Sequence, residues 1–201
     1  MRLSLGGRRG LSQIDGMKAF LDFEASSLSD QSYPVEVAWV FQDGRTESHL
    51  IKPAPGWVDW NPQAEAIHGI SRATLTSEGQ PHDVVATRMI EALSDHELFA
   101  SAPSWDGKWL SVLLRGAGLP RHALRLRDTD EALRSTAIEI LQNVISAARL
   151  DVEIHTLVSV ANAAKSTQPA HRALADAIGE YETWCRVRQA ARVLAAENGA
   201  R

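Results

Sequence analysis

Five side chains in this sequence could do chemistry together. They are Asp22 and Glu24 in "FLDFEASSL", Asp106 in "SWDGKWL", and His171 and Asp176 in "HRALADA". Asp22 and Glu24 interrupt an apolar run. In an extended strand, residues two apart face the same side. Both carboxylates then face one way, and Leu21 and Phe23 the other. Such a pair either reaches water at a strand end or shares a cation. Unit charges about 4 Å apart repel by about 4 kcal/mol at an effective dielectric near 20. Several carboxylates in one cleft are costly unless cations join them, and hard cations such as Mg²⁺ or Mn²⁺ take oxygen ligands.

Taken singly, each motif also has a plainer reading. A D-x-E can be an exposed strand end. Asp106 follows a predicted strand and opens a predicted helix, where an acid in the first turn is favoured by the helix dipole. His171 and Asp176 are five apart, which on a helix is a net rotation of about 140°. They share no helical face, so the histidine would have to swing toward a site from a frayed helix start.

The elements that must position these residues follow from the hydrophobic pattern. "MKAFLDFE" reads as a buried strand, "YPVEVAWVF" as a second, and "SHLIKP" as a third after the hairpin signal "DGRTE". Their short connections predict an antiparallel meander. "PQAEAIHGI" fits a short helix closed by Gly69. "GQPHDVVATRMIEALSD" has helical spacing with Pro81 near its start. "HELFASA" and "ALRLRDT" are short strands on either side of the helix "SWDGKWLSVLLRG". "DEALRSTAIEILQNVISAA" reads as a helix capped by Asp130, and "VEIHTLVSVANAAK" as another. A long final helix follows Pro169. Strands alternating with helices predict an α/β fold: a five-stranded mixed sheet, made of the meander plus two further strands, flanked by helices.

Length and composition set bounds. At 201 residues the default is one domain, read as 17–201. Residues 1–16, Gly- and Arg-rich and without periodicity, read as a loose N-terminal extension. A net charge of −4 excludes a strongly basic field suited to long duplex nucleic acid. Cys185 is the only cysteine, which rules out an internal disulfide and suits a reducing, cytoplasmic setting. No run approaches the roughly 18 apolar residues of a membrane span, and no secretory h-region is seen.

Together the motifs resemble the DEDDh family of 3′–5′ exonucleases, of the ribonuclease H-like superfamily. That family opens with D-x-E, then small or hydroxyl residues, then a bulky apolar one. Here Asp22, Glu24, Ala25, Ser26 and Leu28 take those places. Its middle aspartate follows an aromatic residue and precedes an apolar pair, matched by Trp105, Asp106, Trp109 and Leu110. Its last motif, H-x-A-L-x-D-A, is matched by "HRALADA". "AEAIHGIS" resembles the segment after the family's third strand. There is one departure: Ala102 stands where the family commonly has asparagine, four residues before the middle aspartate.

The resemblance implies a metal-dependent 3′–5′ exonuclease that acts on single-stranded 3′ ends, with DNA favoured. In-line displacement puts negative charge on the attacking and leaving oxygens, and two cations roughly 3.5–4 Å apart can stabilise both. By resemblance, Asp22 bridges two Mg²⁺ or Mn²⁺ ions. Glu24 and Asp176 complete the tighter site, and Asp106 supports the second. His171 accepts a proton from the attacking water, a task suited to imidazole. Backbone near Ala25 and Ser26 holds the terminal 3′-OH, and Leu28 wedges against the last base. Trp105 and His68 are further candidate substrate contacts. Trp39, Trp109 and Trp184 read as core, whereas Trp57 and Trp60 divide evenly between packing and base stacking. An exoribonuclease or short-oligonucleotide-degrading enzyme is the nearest alternative. A non-catalytic nucleic-acid- or partner-binding module is a further one. The resemblance is compatible with a homodimer or a larger nucleic-acid-processing complex.

Overall fold

A computed structural model describes residues 16–165 and 170–199. The extension read over 1–16 lies outside the described residues apart from Gly16, as does Pro169. The alternating strand segments form β1 (Met17–Ala25), β2 (Pro34–Phe41) and β3 (Thr46–Lys52), an antiparallel meander. Gly44, at φ 87, makes the β2–β3 turn, a conformation that most side chains disfavour. Next come α1 (Pro62–His68), α2 (Arg72–Ser77), β4 (Gln80–Pro81) and α3 (His82–Leu93). The chain then adds β5 (His96–Ala100), α4 (Pro103–Gly116) and β6 (Leu126–Asp128), and ends in α5 (Thr129–Leu141), α6 (Ala147–Ala163) and α7 (Ala173–Gly199).

The sheet order is β4-β3-β2-β1-β5-β6, with β5 parallel to β1 and β6 parallel to β5. The sheet therefore has six strands where five were expected. The extra strand is Gln80–Pro81, which pairs parallel with Ile51–Lys52. "GQP" looked like a helix start because proline is favoured there. Here Pro81 ends the strand and precedes α3.

Three other local expectations change. Asp128, not Asp130, caps α5, its side chain accepting from the Asp130 N–H at 2.8 Å. The single helix expected from Asp130 into the 140s stops at Leu141, and α6 starts after Ser146. α2 was not anticipated. Its six residues show no apolar period, and its start is fixed by the Ser71 side chain accepting from the Thr74 N–H.

The two faces of β1 bury into different layers. Ala19, Leu21 and Phe23 pack with Val85, Met89 and Leu113 beneath α3 and α4. Phe20 packs with Phe99, Leu133 and Trp184 beneath α5 to α7. Asp22 and Glu24 are in phase with Phe20, so they emerge on the α7 side at the strand's C-terminal end. The β1–β5 pairing stops at Phe20–Phe99, which frees that edge of β1 beside both acids.

Candidate active site

Asp22, Glu24 and Asp176 each offer a carboxylate oxygen, and these oxygens all lie within 4.8 Å of one another. The first two come from one face of β1 and the third from the first turn of α7. Asp106, in the first turn of α4, is 2% exposed, and its Oδ2 has no hydrogen-bond partner. Its carboxylate lies by the backbone of Phe23, between the two β1 acids.

Burial and crowding show in the proton affinities. Burial, then the charges of Asp106, Glu24 and Asp176, pushes the Asp22 carboxyl up to about 9. Burial, then Asp176 and Glu36, pushes Glu24 to about 7, against the pull of Arg172. Burial raises Asp106 to about 7 although backbone groups of Ala102 and Phe23 favour its charged form. Without a cation, part of this cluster holds protons at neutral pH. The donors are all carboxylate oxygens, one of them buried and unpartnered. They suit a hard divalent cation.

The segment before α7 is pinned from two sides. The Ala170 N–H donates to Asp176 Oδ1 at 3.0 Å. The Arg172 guanidinium donates to both oxygens of Glu36, at 3.1 and 2.7 Å, and the Ala173 N–H donates to Glu36 Oε2 at 3.0 Å. Between these anchors His171 is exposed, with φ 52. A residue in that conformation cannot continue a right-handed helix, so His171 lies ahead of α7 and the rotation expected for a helical pair does not apply.

The candidate substrate contacts are placed unevenly. Leu28 is 70% exposed on the turn after β1. Ser26 is fully buried; its N–H donates to the Tyr33 carbonyl, its carbonyl accepts from Asn61, and its hydroxyl accepts from the Tyr33 N–H. Its hydroxyl also donates to Asp59 Oδ2 at 3.4 Å, and its carbonyl keeps a second lone pair. Ala25 is buried at a register slip in the β1–β2 ladder. His68 is also buried; its Nδ1 accepts from the Ile70 N–H at 3.0 Å, and the Ala25 backbone lies beside the ring. It closes α1 and does not stand open to solvent. Trp105 is half-exposed, stacked on Trp109, with the Lys108 Nζ 5.2 Å from its ring centroid.

Trp39, Trp109 and Trp184 are core residues, as read from the sequence. Trp57 stacks on Tyr33, and the Trp60 Nε1–H donates to Glu65 at 2.7 Å, so both secure the loop before α1. Sequence reasoning missed two acids. Glu36 is 3% exposed and sits opposite Glu24 in the ladder. Glu180, one turn beyond Asp176, adds charge against Asp22 and Asp106, and is held by Lys165 at 3.0 Å. Glu180 lies one helical turn after the final motif, which is a signal that could have found it. Glu36 had none, since its partner is 136 residues away.

Because Glu36 ties β2 to the start of α7, Glu36→Gln is expected to lower kcat about ten- to hundredfold, the range for groups that orient ligands. KM should change little. Equal loss in kcat and gain in KM would show a general disruption instead.

A cavity of about 490 Å³ adjoins the acids, lined by Asp22, Asp176, Ser101, Lys165, Glu180 and Arg186 among others. No family model matches the chain, and no curated relative does. Solved structures do resemble it. The zinc-bound E. coli exonuclease I complex with single-stranded DNA has a TM-score of 0.62 at 15% identity, covering 91% of this chain and 42% of that one. The fold is similar to that of part of exonuclease I. The E. coli enzyme with a dA16 oligonucleotide gives 0.62 at 16% identity, over 90% and 42% of the two chains. Exonuclease I from Methylocaldum szegediense gives 0.61 at 19% identity, over 87% and 41%. The present chain thus spans about two fifths of the length of the exonuclease I chains it matches. Among the described residues no helix is long and apolar enough to cross a membrane.

Proposed function

We propose that the chain is a metal-dependent 3′–5′ exonuclease acting on single-stranded nucleic acid, with DNA favoured. The observation that carries this reading is the meeting of Asp22, Glu24 and Asp176, ligand oxygens within 4.8 Å, beside the buried Asp106. The fold neighbours are exonucleases whose structures hold single-stranded oligonucleotides, and this supports the substrate class.

Asp22, Glu24, Asp176 and Asp106 would hold two Mg²⁺ or Mn²⁺ ions. Bound there, the ions supply Lewis-acid stabilisation to the oxygens that gain charge during displacement. The chain's own groups do the rest. His171, between the residues anchored to Asp176 and Glu36, would take a proton from the attacking water. The turn Ala25–Leu28 receives the terminal sugar, with the free lone pair of the Ser26 carbonyl as acceptor for the 3′-OH. Leu28, exposed and apolar, packs against the last base. Trp105 offers a second flat apolar surface.

The test uses purified protein with Mg²⁺ or Mn²⁺ on single-stranded DNA, RNA and dinucleotides, each with a free or a blocked 3′ end. Stepwise loss from free 3′ ends is expected, with protection by the block. Glu24→Gln should cut turnover roughly 10³-fold, the several kcal/mol that cation stabilisation supplies, with an unchanged circular dichroism spectrum. Absence of metal-stimulated cleavage on every strand would end the enzymatic reading.

A further inference from the structure

Between Gly107 and Arg127 the sequence contains Lys108, Arg115, Arg121, Arg125 and Arg127 and no acidic residue, in a chain of net charge −4. Several arginines elsewhere are tied to carboxylates: Arg45 to Asp43, Arg88 to Glu47, Arg149 to Glu153 and Arg172 to Glu36. Arg127 is tied as well, to Glu97 and Glu131. Arg121 is different. Its Nε donates to His122 Nε2 at 2.8 Å. Among the described residues no carboxylate pairs with Arg121 or Arg125, and both are exposed.

These side chains line a groove of about 370 Å³ along the outer side of α4. Gly107 and Ser111 form one wall, Arg121, His122 and Arg125 the other, and the buried Leu124 lies beneath. The groove reaches Gly107, the residue after Asp106, and a side chain built at Gly107 would meet open space. Trp105 and Lys108 lie on another flank of α4, where the Lys108 Nζ donates to the Ser29 carbonyl and the Ser32 hydroxyl. The open guanidinium pair suits phosphate oxygens, and the apolar floor suits sugars. The adjacency of Gly107 to Asp106 favours a nucleic-acid strand over an acidic peptide as the occupant.

We propose that this groove holds the phosphodiester backbone of the substrate strand on the 5′ side of the scissile linkage. The inference rests on the nuclease reading and extends it: the chain grips strands several nucleotides long and offsets its own net negative charge along one track. Arg121 and Arg125 contact phosphates.

The experiment measures binding in chelator, where no turnover is needed. Fluorescence anisotropy would follow labelled oligothymidylates of about 4 and about 20 nucleotides over a salt series. For Arg121→Ala/Arg125→Ala, affinity for the longer strand should fall at least about tenfold, and the log–log salt slope should drop by about 1.4, two single-strand phosphate contacts. The shorter strand should bind as before, and the Arg121→Lys/Arg125→Lys variant should recover the slope. An unchanged slope in a folded double variant overturns the proposal, as does wild-type protein that binds no strand. Displacement by polyglutamate of equal charge as readily as by oligonucleotide overturns the nucleic-acid assignment. Protein that binds as described but cleaves nothing retires the exonuclease reading and leaves the groove standing.

Discussion

Asp22→Asn is expected to make the chelated protein more stable at pH 8 while abolishing its turnover. In the folded chain burial and neighbouring acids hold the Asp22 carboxyl at about 9, against an ordinary 3.8. Between those values the folded state binds a proton that the unfolded state has released. Stability of the metal-free protein therefore falls as pH rises through that window. Glu24, at about 7 against 4.5, and Asp106, at about 7 against 3.8, add to the decline below pH 7. Asparagine removes the largest single share. A gain of at least about 2 kcal/mol would raise the melting temperature by about 4–8 °C in a chain of this size. Mg²⁺ or Mn²⁺ should stabilise the wild type more at pH 8 than at pH 5, and the variant far less at either. Differential scanning fluorimetry reads all of this without activity. A variant no more stable than wild type in chelator would mean that the acids are not held together against their charge.

His171→Ala is expected to lower kcat by about 10²–10⁴, the usual contribution of a general base. His171 is exposed and outside α7, so melting temperature and oligonucleotide affinity should be unchanged. His171→Gly separates two causes of the loss. Glycine accepts the positive φ of this position more readily than alanine. If the backbone path were what mattered, glycine would restore rate; if the imidazole is the base, both variants fail alike. A loss below tenfold in either would assign the proton to another group.

The parts of this arrangement that depend on short-range pattern were legible in the sequence. The period-2 run through Phe20, Asp22 and Glu24 put both acids on one face, and Gly69 closed α1 with φ 70 as its position suggested. The meeting of Asp22 with Asp106 and Asp176 was not legible from period or composition. It came only from the resemblance of three motifs taken together. Glu36 was hidden because a glutamate in an alternating strand reads as solvent-facing, while its partners Arg172 and Ala173 lie at the far end of the chain. Asp128 was passed over for Asp130 because both fit a helix start, and the choice depends on which side chain reaches back to a free N–H. Gln80–Pro81 pairs only because β3 extends to Lys52 beside it, a tertiary fact with no local signal.

The sheet's two margins have a consequence for how this molecule behaves in a crowded solution. One margin is a two-residue strand ending in proline, which has no N–H to offer, continued by the outer edge of β3 with the polar Thr46, Glu47, Ser48 and His49. The other is three residues long and carries Arg127, engaged with Glu97 and Glu131. Neither presents the long, flat, apolar rim on which foreign β-segments nucleate. Fibrillar growth by strand addition is disfavoured at both borders, and the protein should tolerate high concentration without templating its own aggregation.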